Sequence, residues 1–308
     1  MRRVYGGISL RRVIRRCGMQ RIKYGFYVIM AAILFGISPT VVSLTYQYGG
    51  NTATTTFLVS VFTVAVYVLI IRFKGLSLFL NRKLLTEALV LGGATSFTNL
   101  LLWTSYNYLS SGTSTVLHFM YPAVITFILV AVFHEHLCWQ KGLALLASVA
   151  GVVFISWDSF STSAAGILCA LLSGVFWAVY IILLDKFSIG KENVFVTGFY
   201  VYLCQAVISF VYALSTHTLN RPAGLFWLLI LAEISIGIIS CALLQVGTNR
   251  IGSFSAGIFA TFEPLTAFIL SYVVFKDDLK LFQLVGTGLI ISGVLMDVVG
   301  THESRTDV

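Results

Sequence analysis

Two acidic residues sit where acids are rare. Glu263 lies inside the apolar stretch Ala256 to Phe275, AGIFATFEPLTAFILSYVVF, directly before Pro264, and Glu233 lies inside another at 225–247. At 1.5 Å per helical residue, Glu263 is about 15 Å from the start of the span-length window 253–275 and Glu233 about 12 Å from the start of 225–247, near the middle of a hydrocarbon layer about 30 Å thick. An acid at that depth costs roughly 2.5–3.5 kcal/mol on insertion scales, so it faces an interior or a wet cavity. The chemistry open to it is binding and releasing a proton, or holding a cation. The alternative for Glu263 is a kink whose carboxyl is protonated or bonded to a neighbouring helix, and for Glu233 a pairing with Gln205, Asn99 or a backbone group that holds helices together. Pro264 favours the first reading for Glu263. Proline removes one backbone hydrogen bond and crowds the carbonyl of Ala260, leaving polar backbone for a cavity, a water or a solute to satisfy.

The Glu263 stretch has a fainter copy. Subtracting 142 gives Ser114 to Phe133, STVLHFMYPAVITFILVAVF, with Pro122 opposite Pro264 and Tyr121 opposite Glu263. Glu135 falls opposite Asp277, and Gly151-Val152 opposite Gly293-Val294. Leu34-Phe35-Gly36 pairs with Phe176-Trp177-Ala178, and Asn107 with Asn249, so the duplication reaches both halves of the chain. The two prolines are candidate hinges. His118 precedes Tyr121 by three residues, on nearly the same helical face. Histidine titrates near neutrality, so His118 and Glu263 form a candidate proton-carrying pair; the alternative is a neutral, hydrogen-bonded packing histidine. Asn99, Trp103 and Tyr106, Trp177 and Tyr180, and Tyr200 with Gln205 are candidate cavity-lining residues, although Trp and Tyr are also common in membrane interfacial belts.

His134-Glu135-His136 with Cys138 invites a metal reading but fails on spacing, since helical zinc sites place histidines at i and i+4. The five cysteines show no paired spacing. No nucleophile elbow, P-loop or dinucleotide-binding glycine pattern occurs, so the sequence calls for no metal and no cofactor and carries no enzyme signature.

These residues must be positioned by membrane-spanning helices. The 308 residues are 58% hydrophobic and only 10% charged, against about 25% charged in soluble domains, and mean hydropathy is +0.92. Ten windows have the length of a span, near 24–46, 52–71, 86–108, 112–133, 140–157, 164–185, 193–215, 225–247, 253–275 and 280–300. Of the 20 Lys and Arg residues, 17 fall on the side of the N-terminus and three on the other, so both termini are expected in the cytoplasm. A duplicated unit of five spans enters the membrane oppositely in its second copy, which makes an inverted repeat. The organisation expected is a basic cytoplasmic leader 1–23, a first repeat 24–157, a second repeat 164–300 and a cytoplasmic tail 301–308. The leader, with eight Lys and Arg and no acid, suits an anionic leaflet; alternatively Met19 is the true start, or the leader is a mitochondrial presequence. The net charge of +8 thus reports topology rather than a nucleic-acid partner.

Ten spans in a five-plus-five repeat, FWA in the sixth, EP in the ninth and an E-x-L after the fourth resemble the drug/metabolite transporter superfamily, in its bacterial EamA-type branch. The resemblance covers the chain from about Gly18. It implies an all-α integral membrane protein with two bundles of five helices, a central cavity between the halves and alternating access. The expected function is a secondary transporter of small metabolites or drugs, an exporter in the inner (plasma) membrane, with protons as a candidate coupling ion. Two acids in an aromatic cavity suit amino acids and amphipathic or cationic solutes. Phosphorylated anions would need mid-span Lys or Arg, and none occurs. A passive facilitator and an intramembrane enzyme remain the alternatives.

Overall fold

The computed structural model describes residues 10–134, 139, 142–143, 146–147, 150–151, 154, 163–260, 262–276 and 281–303. The described residues are helical with short connections. In chain order they form α1 (Leu10–Gln47), α2 (Thr52–Phe73), α3 (Arg82–Ser105), α4 (Ser111–His118), α5 (Tyr121–Ala131), α6 (Ala164–Lys186), α7 (Val194–Thr216), α8 (Phe226–Ile251), α9 (Ser253–Phe259), α10 (Phe262–Phe275) and α11 (Leu281–Glu303), with a 3₁₀ turn at Ser188–Lys191 before α7. Among the described residues, eight segments are long and apolar enough to cross a membrane; α4 with α5 makes one of them and α9 with α10 another. The tenth expected window is occupied by α11, with a shorter apolar run at Leu284–Gly293. The fifth, at 140–157, lies outside the described residues apart from isolated positions, as do Glu135, Asp277, residues 1–9 and 304–308.

Local chemistry sets the helix ends. Asn51 accepts from Thr54 N at 2.8 Å, Asn81 from Leu84 N at 2.9 Å, Ser110 from Thr113 N at 3.2 Å and Ser163 from Gly166 N at 3.1 Å. Each satisfies a backbone donor that a helix start leaves free. The third helix accordingly begins earlier than the hydropathy window and stops at Ser105. The duplication is written into the stops as well. Residues with left-handed backbone fall at Gly75 and His217, and at His134 and Lys276, each pair 142 apart. His134 therefore terminates a helix, whatever its neighbours do.

Polar residues point inward and apolar ones outward. Thr55, Ser60, Thr63, Gln205 and Ser209 are fully buried, whereas Leu69, Val207 and Leu228 are about 60% exposed. That is the pattern of a bundle dissolved in lipid, where every buried polar group needs an internal partner. Thr56, Ser60, Thr95, Ser96 and Thr98 meet the requirement by donating to the carbonyl four residues earlier.

The two repeats do not form separate five-helix bundles among the described residues. α1 packs most extensively on α8, α3 on α6 and α2 on α7, so the principal neighbours come from opposite repeats. The pattern survives exchanging the repeats: α1 against α8 becomes α6 against α3, and α1 against α10 becomes α6 against α5.

Of the close approaches that depend on glycine, two meet the backbone of His118 and Glu263. A Cβ on Gly36 would lie 2.5 Å from the Glu263 carbonyl oxygen, and one on Gly174 would lie 2.5 Å from that of His118. A Cβ on Gly288, by contrast, would have no neighbour within 4 Å among the described residues. Gly36→Ala and Gly174→Ala are each expected to lower stability by about 1–3 kcal/mol, as overpacking does. Thermal unfolding of the purified protein in detergent checks this, with Gly93→Ala, which meets nothing within 4 Å, as the unaffected control.

Candidate functional site

The site is built around two broken helices. α4 ends at His118, Phe119 and Met120 form a turn, and α5 starts at Tyr121 with Pro122 second. α9 ends at Phe259, and α10 starts at Phe262 with Glu263 second and Pro264 third. The prolines thus start new helices, where a missing N–H costs nothing, instead of kinking continuous ones. The Ala260 carbonyl, which Pro264 was expected to orphan, accepts from Glu263 N at 2.9 Å in a tight turn, and the Met120 carbonyl accepts from Ala123 N at 3.0 Å. The breaks also place His118 in the last turn of α4 and Glu263 in the first turn of α10. A basic group at a helix C-terminus and an acid at an N-terminus are the placements the helix dipole favours.

Glu263, His118 and Tyr121 converge there, all buried. Tyr121 Oη donates to Glu263 Oε2 at 3.3 Å, and His118 Nε2 lies 3.9 Å from Glu263 Oε1. His118 Nδ1 is 2.8 Å from Ser173 Oγ. Ser173 has one hydroxyl hydrogen, and it is directed at the Ala170 carbonyl 2.6 Å away. His118 Nδ1 must therefore carry a hydrogen and donate it to Ser173, which leaves Nε2 facing the carboxyl group. At 3.9 Å, Nε2 and Oε1 are too far apart for a direct hydrogen bond, and the two form an ion pair only when His118 is protonated.

Residues 142 apart touch at this point. Tyr121 meets Glu263, and Phe35 meets Trp177 edge-on with ring centroids 5.2 Å apart. Counterparts can meet only beside the axis that exchanges the repeats, so both pairs mark that axis.

Against it lies a cavity of about 50 Å³, room for about four waters at 10–15 Å³ each. Its walls include Glu263, His118, Trp177, Asn99, Trp103, Tyr106 and Glu233 of the expected residues, together with Phe35, Ser38, Pro39, Thr95, Thr98, Tyr202 and Cys241. Asn99 Nδ2 donates to Gln205 Oε1 at 3.1 Å. Glu233 does not pair with either of them: Ser38 Oγ donates to its Oε1 at 2.6 Å, and its buried Oε2 has no hydrogen-bond partner. Tyr180 stands behind the wall, stacked on Trp177 at 4.6 Å. Tyr200 is elsewhere, its hydroxyl donating to the Leu78 carbonyl at 2.7 Å. Glu87, in the second turn of α3, is buried and accepts from Ile189 N at 2.8 Å. Ser38 and Ser173 were missed because small hydroxyl residues are common in spans. Ser38's place beside Pro39, inside an apolar span, was the available signal.

Among the described residues no three His, Cys, Asp or Glu side chains cluster as a metal would need; Glu135, His136 and Cys138 lie outside them.

Helices long and apolar enough to cross a membrane, packed around a polar cavity, give the layout of a membrane transporter. The chain belongs to the EamA-like transporter family, which it matches over residues 22–157 and 164–298. It is also similar in fold to a solved structure described as "Crystal structure of protein", with a TM-score of 0.63 at 15% identity, over 92% of this chain and 98% of the other. No curated protein matches the chain.

Ser38→Ala would leave Glu233 without its only side-chain donor and is expected to destabilise the protein by about 1–3 kcal/mol. Glu233→Leu restores the residue type found at the matching position, Leu91. In that background the serine substitution should cost clearly less, a difference that a double-mutant cycle in thermal unfolding reads directly.

Proposed function

We propose that this transporter is a proton-coupled secondary carrier that exports small cationic or amphipathic metabolites from a bacterial cell across the inner membrane, both termini lying in the cytoplasm. The observation that carries the reading is the buried His118–Glu263 pair beside the axis relating the repeats. Its two groups approach to 3.9 Å, and the Ser173 contact turns Nε2 toward the carboxyl group. A proton on the pair neutralises the carboxyl group, and losing it leaves a bare carboxylate at the axis between the repeats. Coupling then follows because protonation of the pair and occupancy of the adjoining cavity bias the same motion, in which the two repeats, inverted in the membrane, rock to face each side.

The two ends of the bundle are each tied by a network. At one, Tyr46 Oη donates to the Trp103 carbonyl at 2.8 Å and Asn107 Nδ2 to Thr52 Oγ1 at 3.1 Å. At the other, Asn249 Nδ2 donates to the Gly190 carbonyl at 2.8 Å. Asn107 and Asn249 are counterparts, each fastening the connection into α2 or α7. In alternating access one network opens while the other holds.

The test is transport by the full chain in sealed vesicles, across a panel of small amines and amino acids, with and without an imposed pH gradient. The wild type should transport against a solute gradient only when a pH gradient is present, and Glu263→Gln should abolish that uphill movement. Unchanged transport by Glu263→Gln would remove the residue from the mechanism. Wild-type transport indifferent to the pH gradient would make the protein a passive facilitator.

A further inference from the structure

The cavity contains two carboxyl groups, and their surroundings differ. Glu263 accepts from Tyr121 Oη on Oε2, has His118 Nε2 at 3.9 Å from Oε1, and sits at a helix start. Glu233 is in the interior of α8, lines the cavity, holds one hydroxyl hydrogen bond from Ser38, and has a buried Oε2 with no hydrogen-bond partner among the described residues. None of the residues lining the cavity is Lys or Arg. Its histidine is committed to Ser173 and Glu263. An ionised Glu233 therefore has no counter-charge of its own in a place where an unpaired charge is expensive.

We propose that Glu233 is the docking site for the positive charge of the transported solute, and that this solute is a small organic ammonium compound held by Glu233 Oε2 and by the aromatic walls at Phe35, Trp103 and Tyr202. This rests on the carrier reading above and divides its labour: Glu263 with His118 carries the proton, and Glu233 carries the solute's charge. The wall composition selects among cations. Aromatic faces attract an ammonium group with apolar substituents, whereas an alkali or alkaline-earth ion asks for a shell of oxygen ligands. Alone, one free carboxylate oxygen and the Ser38 hydroxyl supply too few. The repeat shows that the acid is not required for the helix: the matching position in α3 is Leu91, fully buried in the same framework.

The experiment is equilibrium binding of n-butylammonium to the purified full chain in detergent, read by tryptophan fluorescence, since Trp103 and Trp177 line the cavity. Butyrate, n-butanol and sodium chloride serve as the anionic, neutral and inorganic comparisons. Wild type should bind n-butylammonium in preference to all three. Glu233→Gln, which keeps an acceptor for Ser38 and nearly the same shape, should weaken that binding about tenfold or more. Glu263→Gln should retain it while losing uphill transport. Equal binding by wild type and Glu233→Gln would overturn the assignment, as would wild-type preference for sodium, for the neutral alcohol or for butyrate. Thermal unfolding confirms that both variants are folded. Because binding is measured with no gradient, loss of this assignment leaves proton coupling at Glu263 standing, and loss of coupling leaves this assignment standing.

Discussion

The organisation of the molecule depends on two helix breaks placed 142 residues apart. A continuous helix has no free backbone ends in its middle, and an ionisable side chain on it gains nothing from the backbone. Breaking the spans at Phe119–Met120 and after Phe259 creates a helix C-terminus at His118 and a helix N-terminus at Glu263. Each then lies at the dipole end that suits its charge. The prolines make the breaks inexpensive because they fall in the first turns of the new helices. Gly36 and Gly174 let α1 and α6 approach the carbonyls of Glu263 and His118 closely enough to cover them. The site's polarity is thus built from backbone as much as from side chains.

Interleaving of the repeats follows from the same geometry. Had each repeat packed on itself, Tyr121 and Glu263 would have been in separate bundles with a cleft between them. Because α1 lies on α8 and α3 on α6, the counterpart residues come face to face, and the cavity is walled by both copies at every level. Ser38 of the first repeat can then satisfy Glu233 of the second across 195 residues of chain. An opening motion must slide these cross-repeat interfaces. Their close contacts are made at glycines, which let helices approach without interlocking side chains.

The spans were legible in the sequence because burial in lipid demands length and apolarity, and these can be counted along the chain. The duplication was legible through Pro122 and Pro264, and the structure extends it to backbone conformation at Gly75 and His217, where the residue types give no hint of equivalence. The breaks were not legible as breaks, since a proline inside an apolar run looks the same whether it kinks a helix or starts one. Interleaving was hidden too, because hydropathy says which residues face lipid but not which helix covers the other face. Glu233 stood out by its depth alone; its Ser38 partner did not, since a serine in a span usually bonds its own helix, as Ser60 and Ser96 do here. The partner of Glu87 was hidden for a related reason: the 3₁₀ turn before α7, 102 residues away in the chain, uses it as an acceptor.

A perfect two-fold would place identical chemistry on both sides of the axis and would recognise only a symmetric solute or none. Here the scaffold is symmetric and the chemistry is not. Glu263 faces Tyr121, Trp177 faces Phe35, and Glu233 answers to Leu91. Each substitution leaves shape and burial nearly intact while moving polarity to one side. The cavity therefore has a direction within a symmetric framework, with carboxyl groups drawn from the second repeat and the hydroxyl and imidazole groups beside them, Ser38, Tyr121 and His118, from the first. In the carrier mechanism proposed above, separating the halves would strain these cross-repeat contacts, so occupancy at the carboxyl groups would bear on which conformation is favoured.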